Sequence, residues 1–382
     1  VTELDPLPQQ LLTIVDDGRR TGTHKLLTLL ALLDVAPLAM QGDTGSGVDV
    51  PVEEVAASLL RLAWHHGTPM EGGVGSGGRL SQLQAGGRNE LVEAAERCRS
   101  TTGAVTADVA AATHPRDHRS AVSRIVTVLV RDPLPRLQPR GGGEHFLFPA
   151  WEPAMSVRRL QEQQGRHDVA VSLLPGVARR LTSLGPLLRP ILEAALVTDV
   201  VRWNRLDTDE ERVRRLLFGA SRTSWPAGLR EGLLDLQRGR CFYEPDGPRL
   251  APNDAVIDHV LPWSRSRLDA VPNLVVTTER MNSSKSDVLP SRRLVERWLG
   301  RIDERAELAT GLELPPMLKR TRRLAAATYA ASPVGVPTWD GRDSSARRLA
   351  ALGAVDRAWI VAAAGSHGDA VLAADTPGSY GV

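Results

Sequence analysis

Asp258 and His259 close a short β-prone run, Ala255-Val256-Ile257, and the polar residues that follow them are of types that could cut a phosphodiester. A histidine at a strand end can accept a proton from water. Asp258 and Asn282 offer hard oxygen ligands suited to Mg²⁺, with Mn²⁺ able to substitute. Asn273 can hold the ring of His259 by one nitrogen, leaving Nε2 to face the water. Lys285, one turn beyond Asn282, can reach a phosphate oxygen. Together these groups specify metal-assisted phosphodiester hydrolysis, in which an ion balances charge on the leaving oxygen and histidine activates the nucleophile. A lone histidine or an Asn-x-x-Lys carries no such message. The ordered set does: Asp-His, then Asn, then Asn-x-x-Lys.

The surrounding elements must bring these residues together. Pro262, a polar stretch and Pro272 separate the first β-prone run from a second, Leu274-Val275-Val276, which leads to Asn282 and Lys285. That order predicts a hairpin followed by a helix. It resembles the ββα-metal core of HNH endonucleases, and the continuation NSSKSD-x-x-P is similar to the HNH domain of RNA-guided CRISPR nucleases. The resemblance spans residues 239–291 and extends weakly back to Trp225. It implies that His259 is the general base, that Asp258 and Asn282 are metal ligands, and that Asn273 orients the histidine. The last metal position, often histidine in the wider family, is Asn282 here.

Many HNH domains carry two Cys-x-x-Cys zinc knuckles. This chain has only two cysteines, Cys98 and Cys241, and Glu244 stands where a second thiolate would follow Cys241, so a Cys₄ zinc site is impossible. No structural zinc is expected. The hairpin must instead be held by Phe242, Tyr243, Leu261, Trp263, Leu274 and Val276, with Cys241 as a small buried hydrophobe.

The chain has 382 residues, 42% hydrophobic and 24% charged, which fits a globular protein of two-domain length. A formal charge of +2 is no global nucleic-acid signature, so a phosphate-facing surface must be local. Arg240, Arg292 and Arg293 flank the hairpin and are candidate phosphate contacts, as is the run from Lys319 to Arg323. The first residues lack a basic stretch leading into an apolar core, and no 18-residue apolar run follows, so a cytoplasmic enzyme without a membrane anchor is expected.

Beyond the hairpin the patterning is helical, giving an α+β class: a mostly helical protein containing a compact ββα-metal core without zinc knuckles. Helices are expected over Leu26–Val35, from Pro51 through Trp64, over Leu80–Arg99, and as at least two pieces over Leu173–Val201, where Pro175, Pro186 and Pro190 interrupt. Ile125–Val130 could be strand or helix, and His145–Pro149 reads as a short strand. Neighbouring His65 and His66 point about 100° apart on a helix and are not a convergent metal pair. After the core, helices are expected from Pro290-Ser291 to Trp298, over Ala325–Ala331 and over Ser345–Ala364, then a mobile tail over Asp369–Val382.

Three regions follow: a mainly helical recognition or partner-binding region (1–200), a nuclease domain with a helical lead-in (201–310) and a helical extension with a tail (311–382). The reading that the resemblance favours is a Mg²⁺-dependent nuclease acting on DNA, in a restriction or anti-phage setting, with a protein partner for the N-terminal region. Two alternatives stay open. RNA carries the same phosphodiester, and the fold could serve as a non-catalytic nucleic-acid-binding module.

Overall fold

The computed structural model describes residues 6–16, 20–40, 45–75, 77–86, 89–138, 145–149, 151–152, 154–207, 210–219, 225–342 and 346–365. The expected tail over Asp369–Val382 lies outside the described residues. The chain divides into two compact units, Val1–Ser224 and Trp225–Val382.

The first unit is helical around one small sheet. Its elements are α1 (Leu7–Asp16), α2 (His24–Ala39), β1 (Val48–Pro51), α3 (Val52–Leu62), α4 (Glu90–Thr102), α5 (Ala107–Thr113), α6 (Pro115–Arg131), α7 (Val157–Gln164), β2 (Ala170–Leu173), α8 (Val177–Asn204) and α9 (Glu210–Arg214), closed by a π-helical turn over Arg215–Gly219. Strands β1 and β2 pair antiparallel, Val48 opposite Leu173. Helix α2 is apolar on nearly every side because it is enclosed, with α3 and α8 packed along it.

Several local expectations change here. Leu173–Val201 does not break into pieces: α8 runs unbroken through Pro186 and Pro190. Each proline costs roughly 3 kcal/mol in a helix interior, but Leu181, Leu188, Leu192, Leu196 and Val200 form one buried stripe that a break would dislocate. The helix therefore crosses residue 200, and the compact unit ends at Ser224. Ile125–Val130 is the end of helix α6. His145–Pro149 is not a strand, because the amides of Phe146 and Leu147 both donate to Gln138 Oε1, at 2.8 and 2.7 Å, in place of a ladder. Helix α4 starts only at Glu90, where Asn89 caps it by accepting from the amides of Leu91 and Val92.

The second unit contains α10 (Leu229–Leu236), β3 (Val256–His259), α11 (Trp263–Ser266), β4 (Leu274–Thr277), α12 (Glu279–Lys285), α13 (Arg292–Leu299), α14 (Ile302–Gly311), α15 (Leu318–Ala331), β5 (Pro337–Arg342), β6 (Arg347–Ala351) and α16 (Ala354–Gly365). Strands β3 and β4 pair antiparallel with Val256 opposite Thr277 and His259 opposite Leu274, and α12 follows directly, so the hairpin and helix read from the sequence are present.

Every residue of β4 is buried. Leu274 and Val276 enter one apolar cluster with Leu229 and Leu233 of α10, while Val275 enters another with Tyr243, Met281, Trp298, Tyr329 and Trp339. Residues two apart share a face of a strand, so β4 is clamped on both faces, and this explains its uninterrupted apolar run. Gln237, just past α10, serves the backbone of β4: its Oε1 accepts from Val276 N at 2.8 Å and its Nε2 donates to Val276 O at 2.7 Å.

Residues beyond 310 complete this core. Tyr329 donates to Pro290 O at 2.5 Å, and the backbone of Trp339 exchanges hydrogen bonds with Leu289 and Ser291 at 2.7 and 2.8 Å. Arg347–Ala351, within the expected helix over Ser345–Ala364, is instead strand β6, paired antiparallel with β5. Of the expected core residues, Phe242, Tyr243, Leu261, Leu274 and Val276 are buried, but Trp263 is only half-buried and carries the Arg267 guanidinium 3.6 Å from its ring centroid.

Candidate active site

Strand β3 ends in Asp258 and His259, so neighbouring strand residues send these two side chains to opposite faces. Both are nearly enclosed, at 8% and 9% exposure. Asp258 Oδ2 accepts from the Tyr243 hydroxyl at 2.6 Å and lies 3.1 Å from Lys285 Nζ, which stands 3.4 Å from Oδ1. The same ammonium donates to His259 O at 2.6 Å. Trp339 holds the Tyr243 ring edge-on, with centroids 4.8 Å apart. Burial and the adjacent carboxylate push the Tyr243 hydroxyl well above its ordinary pKa, so it stays a neutral donor.

His259 Nε2 lies 2.7 Å from Asp269 Oδ1. The ring packs beside Trp225, with centroids 5.8 Å apart. This corrects the expected arrangement, in which Asn273 holds the ring and Nε2 is free. Asn273 is fully buried, and its carboxamide bonds backbone only: Oδ1 accepts from Leu261 N at 2.8 Å, while Nδ2 donates to Leu261 O at 3.1 Å and to Leu268 O at 3.3 Å. It fastens the loop between β3 and β4. The loop in turn delivers Asp269 to the histidine.

Asn282 sits in the middle of α12, whose first turn is capped by Thr278 accepting from Met281 N at 3.2 Å. Its side chain is half-buried. Lys285, expected to meet phosphate, is 1% exposed and already bonded to Asp258 and to the backbone of His259. One turn of helix carries it inward because α12 packs on β3 and β5. The candidate phosphate contacts among the arginines have intramolecular partners too. Arg240 Nη1 donates to Gly247 O. Arg292 pairs with Asp356 at 3.2 Å over the Trp359 ring, and Arg293 pairs with Asp340 at 3.1 Å.

Among the described residues, no group of three or more His, Cys, Asp or Glu side chains converges as a metal cluster. Cys241 Sγ is buried 3.2 Å from Thr277 Oγ1, and Cys98 is buried in the other unit. His66 is fully buried against Phe218, ring centroids 5.4 Å apart, and desolvation lowers its pKa to about 4.

The HNH endonuclease family profile matches residues 248–291, which hold β3, its loop, β4 and α12. This segment is an HNH endonuclease domain. Members of such a family act as nucleases on nucleic acid, and the Asp258–His259 pair stands in the matched segment. Across the chain as a whole, no curated protein and no solved structure matches significantly. Among the described residues, no helix is long and apolar enough to cross a membrane.

Tyr243, Trp225, Asp269 and Gln237 are neighbours of the site that sequence reasoning missed, and of these four only Asp269 lies within residues 248–291. Tyr243 reads as a core aromatic, and only the fold shows its hydroxyl on Asp258. Asp269 stands ten residues after His259, a separation that no strand or helix period connects.

Proposed function

We propose that the chain is a metal-dependent HNH endonuclease that hydrolyses DNA, with His259 as general base and Asp258 and Asn282 as the protein ligands of one hard divalent ion, Mg²⁺ or Mn²⁺. The observation that carries this reading is His259 at the end of β3, held through Nε2 by Asp269, beside a carboxylate whose position is fixed by Tyr243 and Lys285.

The donor set fits such an ion. Asp258 and Asn282 supply hard oxygens, and Mg²⁺ commonly takes only one or two protein ligands and keeps water and phosphate oxygens for the rest. A carboxylate offers about four lone-pair positions, and among the described residues Oδ1 has a single partner, Lys285 Nζ at 3.4 Å. When bound, the ion would stabilise negative charge on the scissile phosphate and its leaving oxygen.

The residues of the chain do the rest. Lys285 neutralises part of the Asp258 charge and ties the carbonyl of His259 to α12, keeping the base and the carboxylate in register. His259 accepts a proton from water as the water oxygen bonds to phosphorus, and the bond from phosphorus to the leaving oxygen breaks. Trp225 screens one side of the imidazole from solvent. The basic surface that binds substrate is local, and specificity is assigned to the Val1–Ser224 unit, since phosphate contacts position a duplex without reading it. A role in restriction or anti-phage defence, with a protein partner for the Val1–Ser224 unit, rests on the motif resemblance of residues 239–291 alone.

Incubating the purified full chain with supercoiled plasmid and with structured RNA, each with Mg²⁺ or with chelator, tests this reading. DNA should be cut only with the metal. Cutting of RNA alone would replace the substrate, and no cutting of either under any divalent ion would leave a binding module.

A further inference from the structure

We infer that the β5–β6 ribbon is a phosphate-binding surface for duplex DNA beside the candidate active site, with Arg342, Arg347 and Arg348 as its contacts. The inference rests on the nuclease reading for its ligand, and it falls in a part of the chain beyond the matched segment, which ends at residue 291.

The ribbon is fastened to the helix that carries Asn282. Arg347 Nη2 donates to Lys285 O at 3.1 Å, and Trp339 Nε1 donates to Ser284 Oγ at 3.3 Å. All five residues of β6 are exposed, whereas Thr338, Trp339 and Gly341 of β5 are buried, so β6 is the outer strand. Its charge is arranged unfavourably for a strand that only folds. Arg347 lies directly opposite Arg342, and like charges facing each other across a strand pair are destabilising. Among the described residues no carboxylate pairs with either arginine, and Arg342 Nε is buried without a hydrogen bond.

One carboxylate, Asp340, serves the rest of the cluster: Arg293 and Arg348 each reach it at 3.1 Å. Burial first, and then the Arg293 charge, lower the pKa of Arg297, against the opposing pull of Asp246 and Asp340. The positive groups therefore stand close enough to repel one another. Neighbouring strand residues point to opposite faces, so Arg347 reaches α12 while Arg348 reaches the carboxylate shared with Arg293 of α13. Positive charge runs across the ribbon from one helix to the next. A bound phosphodiester offsets that repulsion, and a guanidinium held by one of its five N–H groups keeps others for phosphate oxygens.

Charges on an outer strand can also serve only to keep it from pairing with another chain. That role needs no anion, so the test reads the anion. Full-length protein is titrated onto a short fluorescent DNA duplex in the presence of chelator, over a range of salt, and anisotropy gives the affinity. Each of Arg342→Gln, Arg347→Gln and Arg348→Gln should make the log–log salt slope shallower by about 0.9, and the triple variant by about 2–3. Affinity should fall by similar factors on unrelated duplexes, since phosphate contacts do not read sequence. Arg348→Lys keeps the charge and should keep the slope. A folded triple variant with the wild-type slope, a loss confined to one sequence, or a wild type that binds no duplex overturns the inference. Should the triple variant fail to fold, Arg348→Gln decides alone, its side chain being 55% exposed.

Plasmid cleavage with Mg²⁺ separates this surface from the nuclease reading. Wild type that binds, with shallower slopes in the variants, but cuts nothing defeats the nuclease reading and keeps the surface. Wild type that cuts, with slopes unchanged in the variants, defeats the surface and keeps the nuclease.

Discussion

Lys285 and Tyr243 converge on one carboxylate, and this makes the ammonium part of the interior. A lysine that merely touched phosphate would be dispensable for folding, and its removal would reduce the salt dependence of binding by about 0.7–0.9 in log–log slope. Here Lys285→Met leaves Asp258 as a buried charge without its cation, a change that costs about 3–5 kcal/mol. Urea unfolding of the full chain should show that loss. An unfolding curve unchanged from wild type, with a shallower salt slope, would return Lys285 to the phosphate surface. His66 gives a second residue-scale expectation. Its folded pKa of about 4 lies below the ordinary 6.5, so the unfolded chain binds the extra proton first. The stability contribution is complete above about pH 6.5 and is lost as pH falls through about 4, to a total of roughly 3 kcal/mol. Thermal unfolding across that window should show a weaker acid dependence for His66→Gln; an identical slope in both proteins would contradict the desolvated histidine. The placement of Asp258 and His259 at the end of a strand was legible because a β-prone run leads into them. Their partners were not, because Tyr243 and Asp269 reach them only after the chain folds.

At the scale of elements, the hairpin and α12 could be read from two β-prone runs and a spaced polar helix, whereas other boundaries were decided by packing. Pro186 and Pro190 argue for a break that the buried stripe of α8 overrides. Arg347–Ala351 reads as helix from its alanines, but it pairs with β5, which is anchored by the buried Trp339. The loop between β3 and β4 depends on Asn273, whose three carboxamide contacts all go to backbone. Asn273→Ala would strand the Leu261 amide in the interior, at about 1–3 kcal/mol for each buried group left unpaired. It should therefore lower the unfolding midpoint as well as cleavage. Loss of cleavage with unchanged stability would favour a direct contact with the histidine ring instead.

For the whole molecule, the division at Ser224–Trp225 separates a helical unit from the HNH unit, and the strands and helices beyond 310 belong to the latter through Tyr329 and Trp339. A fragment of residues 225–382 should fold, retain weak nonspecific nicking and lose most of the full chain's substrate preference. Circular dichroism and cleavage of mixed substrates would check this. A folded fragment with undiminished selectivity would remove the recognition role from residues 1–224, and an unfolded fragment would show that the two units are one folding body. Composition could not locate this division, since the formal charge of +2 hides where the basic residues cluster and the helical patterning continues across both units.

The central claim is that His259 activates the nucleophile, and the most direct measurement compares wild type and His259→Ala in single-turnover plasmid cleavage with saturating Mg²⁺ and matched DNA occupancy. His259→Ala should cut at a rate lower by about 10²–10⁴-fold, with DNA affinity within about tenfold of wild type. Equal cleavage rates at equal occupancy would contradict it.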